Sequence, residues 1–286
     1  MVAGRKTTDK QRGDLKVRLM KVAATIGVAV AMAIGAAGTG SAAQNDYSDQ
    51  KVKVPAKDSG VSAQRTNGHS FWEINASGEL NYWYRSGESF ERSVRGSGWH
   101  NTRQITSLNA NVFLEIKPDY RLARWTWTGN GFIEEIVGTG WQPARVITGI
   151  DDNRFLEIKQ DGTLTEWTFT SGGLSASNVG AGWQNARTIA GLGGPQDHVI
   201  DFMEIKNSGA VSEWYSTGGP FEEWPFGTVN FSDVRLIAGM DADHFVFIPN
   251  DGSLWEFALV FDETEQQWYW VAAQRGAGWG GTRLIG

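Results

Sequence analysis

Phe155 to Gly191 reads FLEIKQDGTLTEWTFTSGGLSASNVGAGWQNARTIAG, and its landmarks return along the chain. The first is an apolar stretch around an acid, Phe155-Leu156-Glu157-Ile158. The second is a turn signal followed by alternation, Asp161-Gly162-Thr163-Leu164-Thr165-Glu166-Trp167. The third is Gly182-Trp183 with Arg187 four residues on. The apolar landmark recurs at Phe71, Phe113, Phe202 and Phe245. Trp99 with Arg103, Trp141 with Arg145, Phe231 with Arg235 and Trp279 with Arg283 repeat the third. Successive apolar landmarks start 42, 42, 47 and 43 residues apart. A fixed period in the forties is the mark of a propeller or solenoid and outranks any single motif.

Each repeat reads as four short strands. In the third copy they follow Ala144 to Thr148, Phe155 to Lys159, Leu164 to Thr170 and a short piece near Ala176 to Val179. Asp161-Gly162 is a hairpin signal, repeated at Ser77-Gly78, Ser208-Gly209 and Asp251-Gly252; the second copy has Asp119-Tyr120 instead. No window after the first segment has a helical period. Strands apolar on both faces suit sheets packed between neighbours. All 14 tryptophans fall between Trp72 and Trp279, where large aromatics fill the wedges between blades. The chain ends on Trp279 to Gly286, the segment that elsewhere precedes a Phe-x-Glu-Ile strand, whereas the strand at Phe71 has no such segment before it. The fold expected is all-β: a five-bladed β-propeller of four-stranded antiparallel blades, over 65–286. Pairing of the C-terminal strand with the N-terminal blade closes it and removes open edges.

Ahead of the repeats, Arg5 to Lys21 is basic, Val22 to Gly38 is small and apolar, and Ser41-Ala42-Ala43 suits a cleavage site. Residues 1–43 read as a secretory signal peptide, or alternatively an uncleaved anchor. Secretion to the extracellular space is therefore expected, with no membrane association after cleavage. Residues 44–64 are polar and charged and read as a disordered linker. Without the basic leader the net charge falls from −6 to −11, which argues against nucleic acid and anionic membrane. There is no cysteine, so export brings no disulfides and the core must suffice.

Gly98-Trp99, Gly140-Trp141, Gly182-Trp183 and Gly278-Trp279 fall at the turns between blades, with Asn101, Gln142, Gln184 and Asn185 after them. An aromatic face beside amides suits a sugar, whose C–H face stacks while its hydroxyls bond; equally, such a tryptophan can simply wedge two blades. The arginines at one repeat position and Glu73, Glu115, Glu157 and Glu204 at another suggest an Arg–Glu pair within each blade. Arg103 precedes Glu115 by twelve residues, as Arg145 precedes Glu157. Glu166, Glu213 and Glu256 share a further position, expected to be solvated or paired across strands. The four histidines share no repeat position. No zinc-protease, phosphate-loop or nucleophile-elbow motif occurs, so no catalytic residue, metal ligand or cofactor is assigned.

Gly182-Trp183-Gln184-Asn185, with Phe155-Leu156-Glu157-Ile158 through Asp161-Gly162-Thr163-Leu164, resembles the tachylectin family of five-bladed propeller lectins. The resemblance spans about Arg65 to Gly286. It implies metal-free, multivalent binding of glycans bearing N-acetylglucosamine or N-acetylgalactosamine in pockets between blades. The sugar-binding residues it implies are Trp99, Asn101, Trp141, Gln142, Trp183, Asn185 and Trp279. Phe231-Ser232-Asp233 departs from the pattern, as do Pro143 and Gly281. Fucose-binding propeller lectins are the runner-up; they use an arginine in the strand that here carries Glu157. Two other classes compete. A protein-interaction scaffold predicts one contiguous apolar patch, and a carbohydrate-active enzyme predicts one site breaking the repeat, at 193–197 or 261–265.

Overall fold

A computed structural model describes residues 46–55, 68–193 and 199–286. The expected signal peptide over 1–43, residues 44, 45 and 56–64 of the expected linker, and most of the 193–197 insertion lie outside them. Strand β1 (Lys51–Lys53) precedes the ring. The first blade holds β2 (Ser70–Asn75), β3 (Leu80–Ser86) and β4 (Ser89–Gly96). The second holds β5 (Gln104–Asn109), β6 (Val112–Ile116), β7 (Leu122–Trp127) and β8 (Phe132–Gly138). The third holds β9 (Ala144–Gly149), β10 (Arg154–Lys159), β11 (Leu164–Thr170) and β12 (Gly173–Gly180). The fourth holds β13 (Ala186–Gly193), β14 (Ile200–Lys206), β15 (Ala210–Ser216) and β16 (Glu222–Asn230). The fifth holds β17 (Val234–Asp241), β18 (His244–Pro249), β19 (Leu254–Asp262) and β20 (Gln267–Gly276), and β21 (Thr282–Ile285) ends the chain. The sheets are antiparallel, and β21 joins β2, β3 and β4. This is the five-bladed propeller expected. The fourth strand of the third blade is longer than the sequence suggests, because all of β11 finds partners across the hairpin from Gly173 onward.

Closure is a two-way clasp. Gly286 N–H donates to Trp72 O at 3.0 Å, and Trp72 N–H donates to Gly286 O at 2.8 Å. Glu73 faces Ile285 and Ile74 faces Leu284 in the ladder. The innermost strands β5, β9, β13, β17 and β21 contact one another in a ring. Side chains tie them: Thr106 Oγ1 accepts from Gly149 N–H at 2.7 Å, and Thr148 Oγ1 accepts from Gly191 N–H at 2.6 Å. A Cβ on Gly191 would stand 2.0 Å from Gly149 O, so the innermost strands approach too closely for any side chain there.

The apolar cores lie between blades. One cluster joins Leu114 and Ile116 of β6 to Phe155 of β10, and another joins Leu156 and Ile158 to Phe202 of β14. The Phe-Leu-Glu-Ile strand thus sends alternate side chains into two different seams, which is why both of its faces are apolar. Tyr120 takes the left-handed conformation (φ 64°) that glycine supplies in the other hairpins, so the departure at Asp119-Tyr120 leaves the turn intact.

Residues 46–55 do not form the free linker that their polarity suggests. Tyr47 and Val54 are each 2% exposed, and β1 adds a fifth strand to the outer edge of the fifth blade. Three apolar residues, Tyr47, Val52 and Val54, supply the burial that the average composition hides. Lys51 holds the turn after β19, bonding Asp262 at 2.9 Å and Glu265 at 3.3 Å.

Candidate functional site: the clefts at the blade seams

Four seams are assembled from the same parts. A glycine in the left-handed region, such as Gly182 (φ 93°), swings the chain out of one blade; Asn230 holds that place before Phe231. The next residue donates its N–H to the hairpin turn of the blade just left. Trp99 bonds Gly78 O at 3.0 Å, Trp141 bonds Tyr120 O at 3.1 Å, and Trp183 bonds Gly162 O at 3.0 Å. Phe231 bonds Gly209 O and Trp279 bonds Gly252 O, both at 2.8 Å. The indole nitrogen then lies over a glycine three residues back. A Cβ on Gly138 would stand 2.6 Å from Trp141 Nε1, and one on Gly180 would stand 2.8 Å from Trp183 Nε1. Gly96 and Gly276 repeat this, each with a Cβ 3.2 Å from the indole nitrogen. Thr228 stands three residues before Phe231, which has no indole.

The repeat arginines clamp the same turn from the inner strand. Arg145 donates to Trp183 O at 2.5 Å and to Gln184 O at 2.7 Å. Arg235 donates to Trp279 O at 3.0 Å and to Thr282 O at 2.6 Å; Arg283 reaches Trp99 O and Thr102 O, both at 2.6 Å. Arg187 reaches Phe231 O at 2.5 Å. Arg103 instead lies 4.5 Å over the Tyr120 ring. The expected Arg–Glu pairs are therefore corrected: among the described residues, no ion pair joins these arginines to the glutamates of their own blades. The register explains it. Glu115 stands opposite Ile105 and Glu157 opposite Ile147, two residues past the arginine.

The glutamates bond an indole instead. Trp83 Nε1 donates to Glu73 at 2.6 Å, Trp125 to Glu115 at 2.9 Å, Trp167 to Glu157 at 2.9 Å and Trp214 to Glu204 at 2.8 Å. Each pair is ten residues apart and spans one hairpin. Burial pushes the Glu157 and Glu204 carboxyls above the usual range, against the pull of the indole N–H. The second indole also meets the seam tryptophan. Ring centroids are 4.3 Å apart for Trp83–Trp279, 4.8 Å for Trp125–Trp99, 4.9 Å for Trp167–Trp141 and 4.7 Å for Trp214–Trp183.

Three clefts open beside these aromatic pairs. One of about 340 Å³ is lined by Trp279, Trp83, Glu73, Asn75 and Arg92. One of about 270 Å³ is lined by Trp141, Trp167, Glu157 and Lys159. One of about 480 Å³ is lined by Trp183, Asn185, Trp214, Glu204, Lys206, Phe221 and Glu223. The frame repeats while the polar rim changes. The residue facing the second tryptophan across the outer hairpin is Arg92, Glu134, Ala176 or Glu223.

Of the residues assigned from sequence, Trp141, Trp183, Asn185 and Trp279 line clefts. Trp99 makes the equivalent contact with Trp125. Asn101 and Gln142 are exposed, and the Gln142 carbonyl accepts from Gln160 at 3.1 Å. The seam rings are themselves mostly covered, Trp183 being 8% exposed, so they wedge the blades as well as edge the clefts. The more open aromatic surface belongs to Trp83, Trp125, Trp167 and Trp214. Sequence reasoning missed these four, although a tryptophan ten residues after each glutamate is readable in the repeat.

Of the two expectations for the further acid set, pairing holds and solvation does not. Glu213 and Glu256 are fully buried at seams: Glu213 accepts from Trp270 Nε1 at 2.9 Å, and Glu256 is held by Arg85 at 3.0 Å and Arg275 at 2.7 Å. Glu166 meets Arg154 at 3.1 Å. His69, His244 and Glu256 bring potential ligand atoms within 4.8 Å of one another, but both Glu256 oxygens are taken by the two guanidiniums, which disfavour a cation.

No protein-family model matches this chain, and no curated protein does. Solved structures match it only at a distance. The SapL1 lectin in complex with alpha methyl fucoside is 16% identical, over 77% of this chain and 85% of that one, with a TM-score of 0.44. A fungal lectin of six-bladed β-propeller fold, from Aleuria aurantia, is 12% identical over 71% and 72%, with a TM-score of 0.46. Prp20p from Saccharomyces cerevisiae is 10% identical over 70% and 65%, with a TM-score of 0.37. Likenesses this distant decide nothing about a ligand, and they leave membership of the tachylectin family without support beyond the repeat residues and the number of blades.

Proposed function

We propose that the protein is a multivalent lectin that binds carbohydrate in the clefts at its blade seams. The observation that carries this reading is the recurrence of one construction: an aromatic pair, a buried carboxylate and a polar rim, at repeat-equivalent positions around a rigid ring. The half-buried tryptophan offers an apolar face to a pyranose ring. The carboxylate's second oxygen accepts from a hydroxyl where no threonine already takes it, as Thr282 takes that of Glu73, and the amide or lysine beside it donates. Volumes of 270 to 480 Å³ suit one or two sugar residues, near the lower end of ordinary ligand pockets. Weak single sites at fixed spacing gain strength on a polyvalent glycan.

The preferred ligands on this reading are glycans ending in N-acetylglucosamine or N-acetylgalactosamine, whose acetyl methyl adds apolar contact beside the indoles. Fucose is the alternative. Its arginine-based recognition is disfavoured because the strand that would supply the arginine carries Glu73, Glu115, Glu157 or Glu204 here. Secretion by way of residues 1–43 places such a protein where glycans are displayed. A glycan array read alongside titration calorimetry tests the proposal. Selective, saturable binding of one of these sugar classes, weakened by Trp214→Ala, is the expected result; no saturable binding to any glycan sinks it.

A carbohydrate-active enzyme remains a definite competitor at one cleft. There burial pushes Glu204 up, whereas Glu223 is held low because Lys206 and Ser212 outweigh its own burial. Turnover of 4-nitrophenyl glycosides, abolished by Glu204→Gln, would replace the binding-only reading.

A further inference from the structure

The fifth seam has lost the parts that the other four share. Phe231 replaces the seam tryptophan, Phe247 the glutamate and Phe257 the second tryptophan. Where Asn101 and Asn185 stand two residues after their tryptophans, this seam has Asp233. Tyr47 sits on these substituted positions. Its ring lies 5.4 Å from Phe231, 4.9 Å from Phe247 and 5.5 Å from Trp255, all edge-on, and its hydroxyl donates to Asp233. At the other seams the equivalents of Phe231, Asp233 and Phe247 are cleft-lining residues: Trp183, Asn185 and Glu204 in one case.

We infer that the fifth seam is a socket for a phenolic side chain, filled in cis by Tyr47, and that it latches the 46–54 strap to the ring in place of an exchangeable ligand. The substitutions go together. Replacing a carboxylate and an indole by phenyl rings removes the polar rim and leaves an all-aromatic seat with one acid at its mouth, which fits a tyrosine. Beyond Tyr47 the strap continues as a strand. Ala272 N–H donates to Gln50 O at 3.3 Å and Val54 N–H to Trp268 O at 3.1 Å, so β20 is no longer an open edge. The ring therefore offers at most four clefts to outside ligands. The fifth holds residues 46–54 against the propeller, so that release of one tyrosine would free both strap and socket. This inference stands whether or not the other clefts take sugars.

Amide hydrogen exchange on the full chain tests it, with Ala272 as reporter because its N–H points at the strap rather than at β19. In Tyr47→Ala the Ala272 amide is expected to exchange about tenfold faster or more, with Trp72 N–H, in the closing clasp, unchanged. Adding p-cresol to Tyr47→Ala should restore part of the protection by refilling the socket, as a small aromatic fills an apolar cavity. N-acetylglucosamine and fucose should not. Tyr47→Phe keeps the ring and provides the reading if the alanine variant does not fold; it should speed exchange by a smaller factor. Unchanged Ala272 protection in both variants overturns the latch. Faster exchange that p-cresol leaves unaltered overturns the socket.

Discussion

Trp214→Phe isolates the indole–carboxylate bond on which each cleft is built. The ring remains to pack against Trp183, while the N–H that reaches Glu204 at 2.8 Å is lost. Glu204 is 3% exposed; of its cationic neighbours, Lys206 stands at 4.0 Å and is engaged by Glu223, and Arg145 acts from further off. Removing a hydrogen bond to a buried charge costs about 1.5–3 kcal/mol, so the variant should be less stable by about 2 kcal/mol at pH 7, or about 4–8 °C in Tm. The pH dependence separates this cause from loss of packing. Burial already raises the Glu204 carboxyl above its ordinary value of 4.5, and losing the donor raises it further. Between the unfolded and folded values the native state binds more protons, so its stability falls as pH rises through that window. The window widens in the variant. Its deficit relative to wild type should therefore be small near pH 4, where the carboxyl is protonated in both, and should grow toward pH 7. Urea unfolding of both proteins at the two pH values measures it. An equal deficit at pH 4 and pH 7 would falsify the claim that the indole serves the ionised carboxylate.

Gly138→Ala should cost about 1–3 kcal/mol, since its Cβ would stand 2.6 Å from Trp141 Nε1; thermal unfolding reads it, and Gly131→Ala, with open space around it, is the control. Arg145→Met leaves the carbonyls of Trp183 and Gln184 without their guanidinium and should lower stability by about 1–3 kcal/mol, measured by urea unfolding. Deleting 282–286 removes β21 and the Gly286–Trp72 clasp; the expected result is loss of a single cooperative unfolding transition, and an unchanged calorimetric profile would contradict closure by the tail. Trp214→Ala should weaken glycan binding at its cleft about tenfold while leaving the other clefts at wild-type affinity, which titration with a monovalent sugar distinguishes.

Repetition made the architecture legible. A landmark that returns every forty-odd residues fixes the number of blades, and the surplus segment at the end meets the missing one at the start; neither inference needs a side-chain position. Fixed local chemistry made the seams legible too, because Gly-Trp turns and hairpin turns follow from residues next to one another. What the repeat did not fix was which groups meet across strands. Arg145 and Glu157 looked like partners by spacing, yet a two-residue offset in register sends one to a backbone carbonyl in the next seam and the other to an indole of its own hairpin. Tyr47 bonds a residue 186 positions away, in a polar stretch whose composition reads as linker. Periodicity reports what every blade shares. Register and long-range packing decide what each seam holds, because they depend on distances that no neighbour in sequence sets.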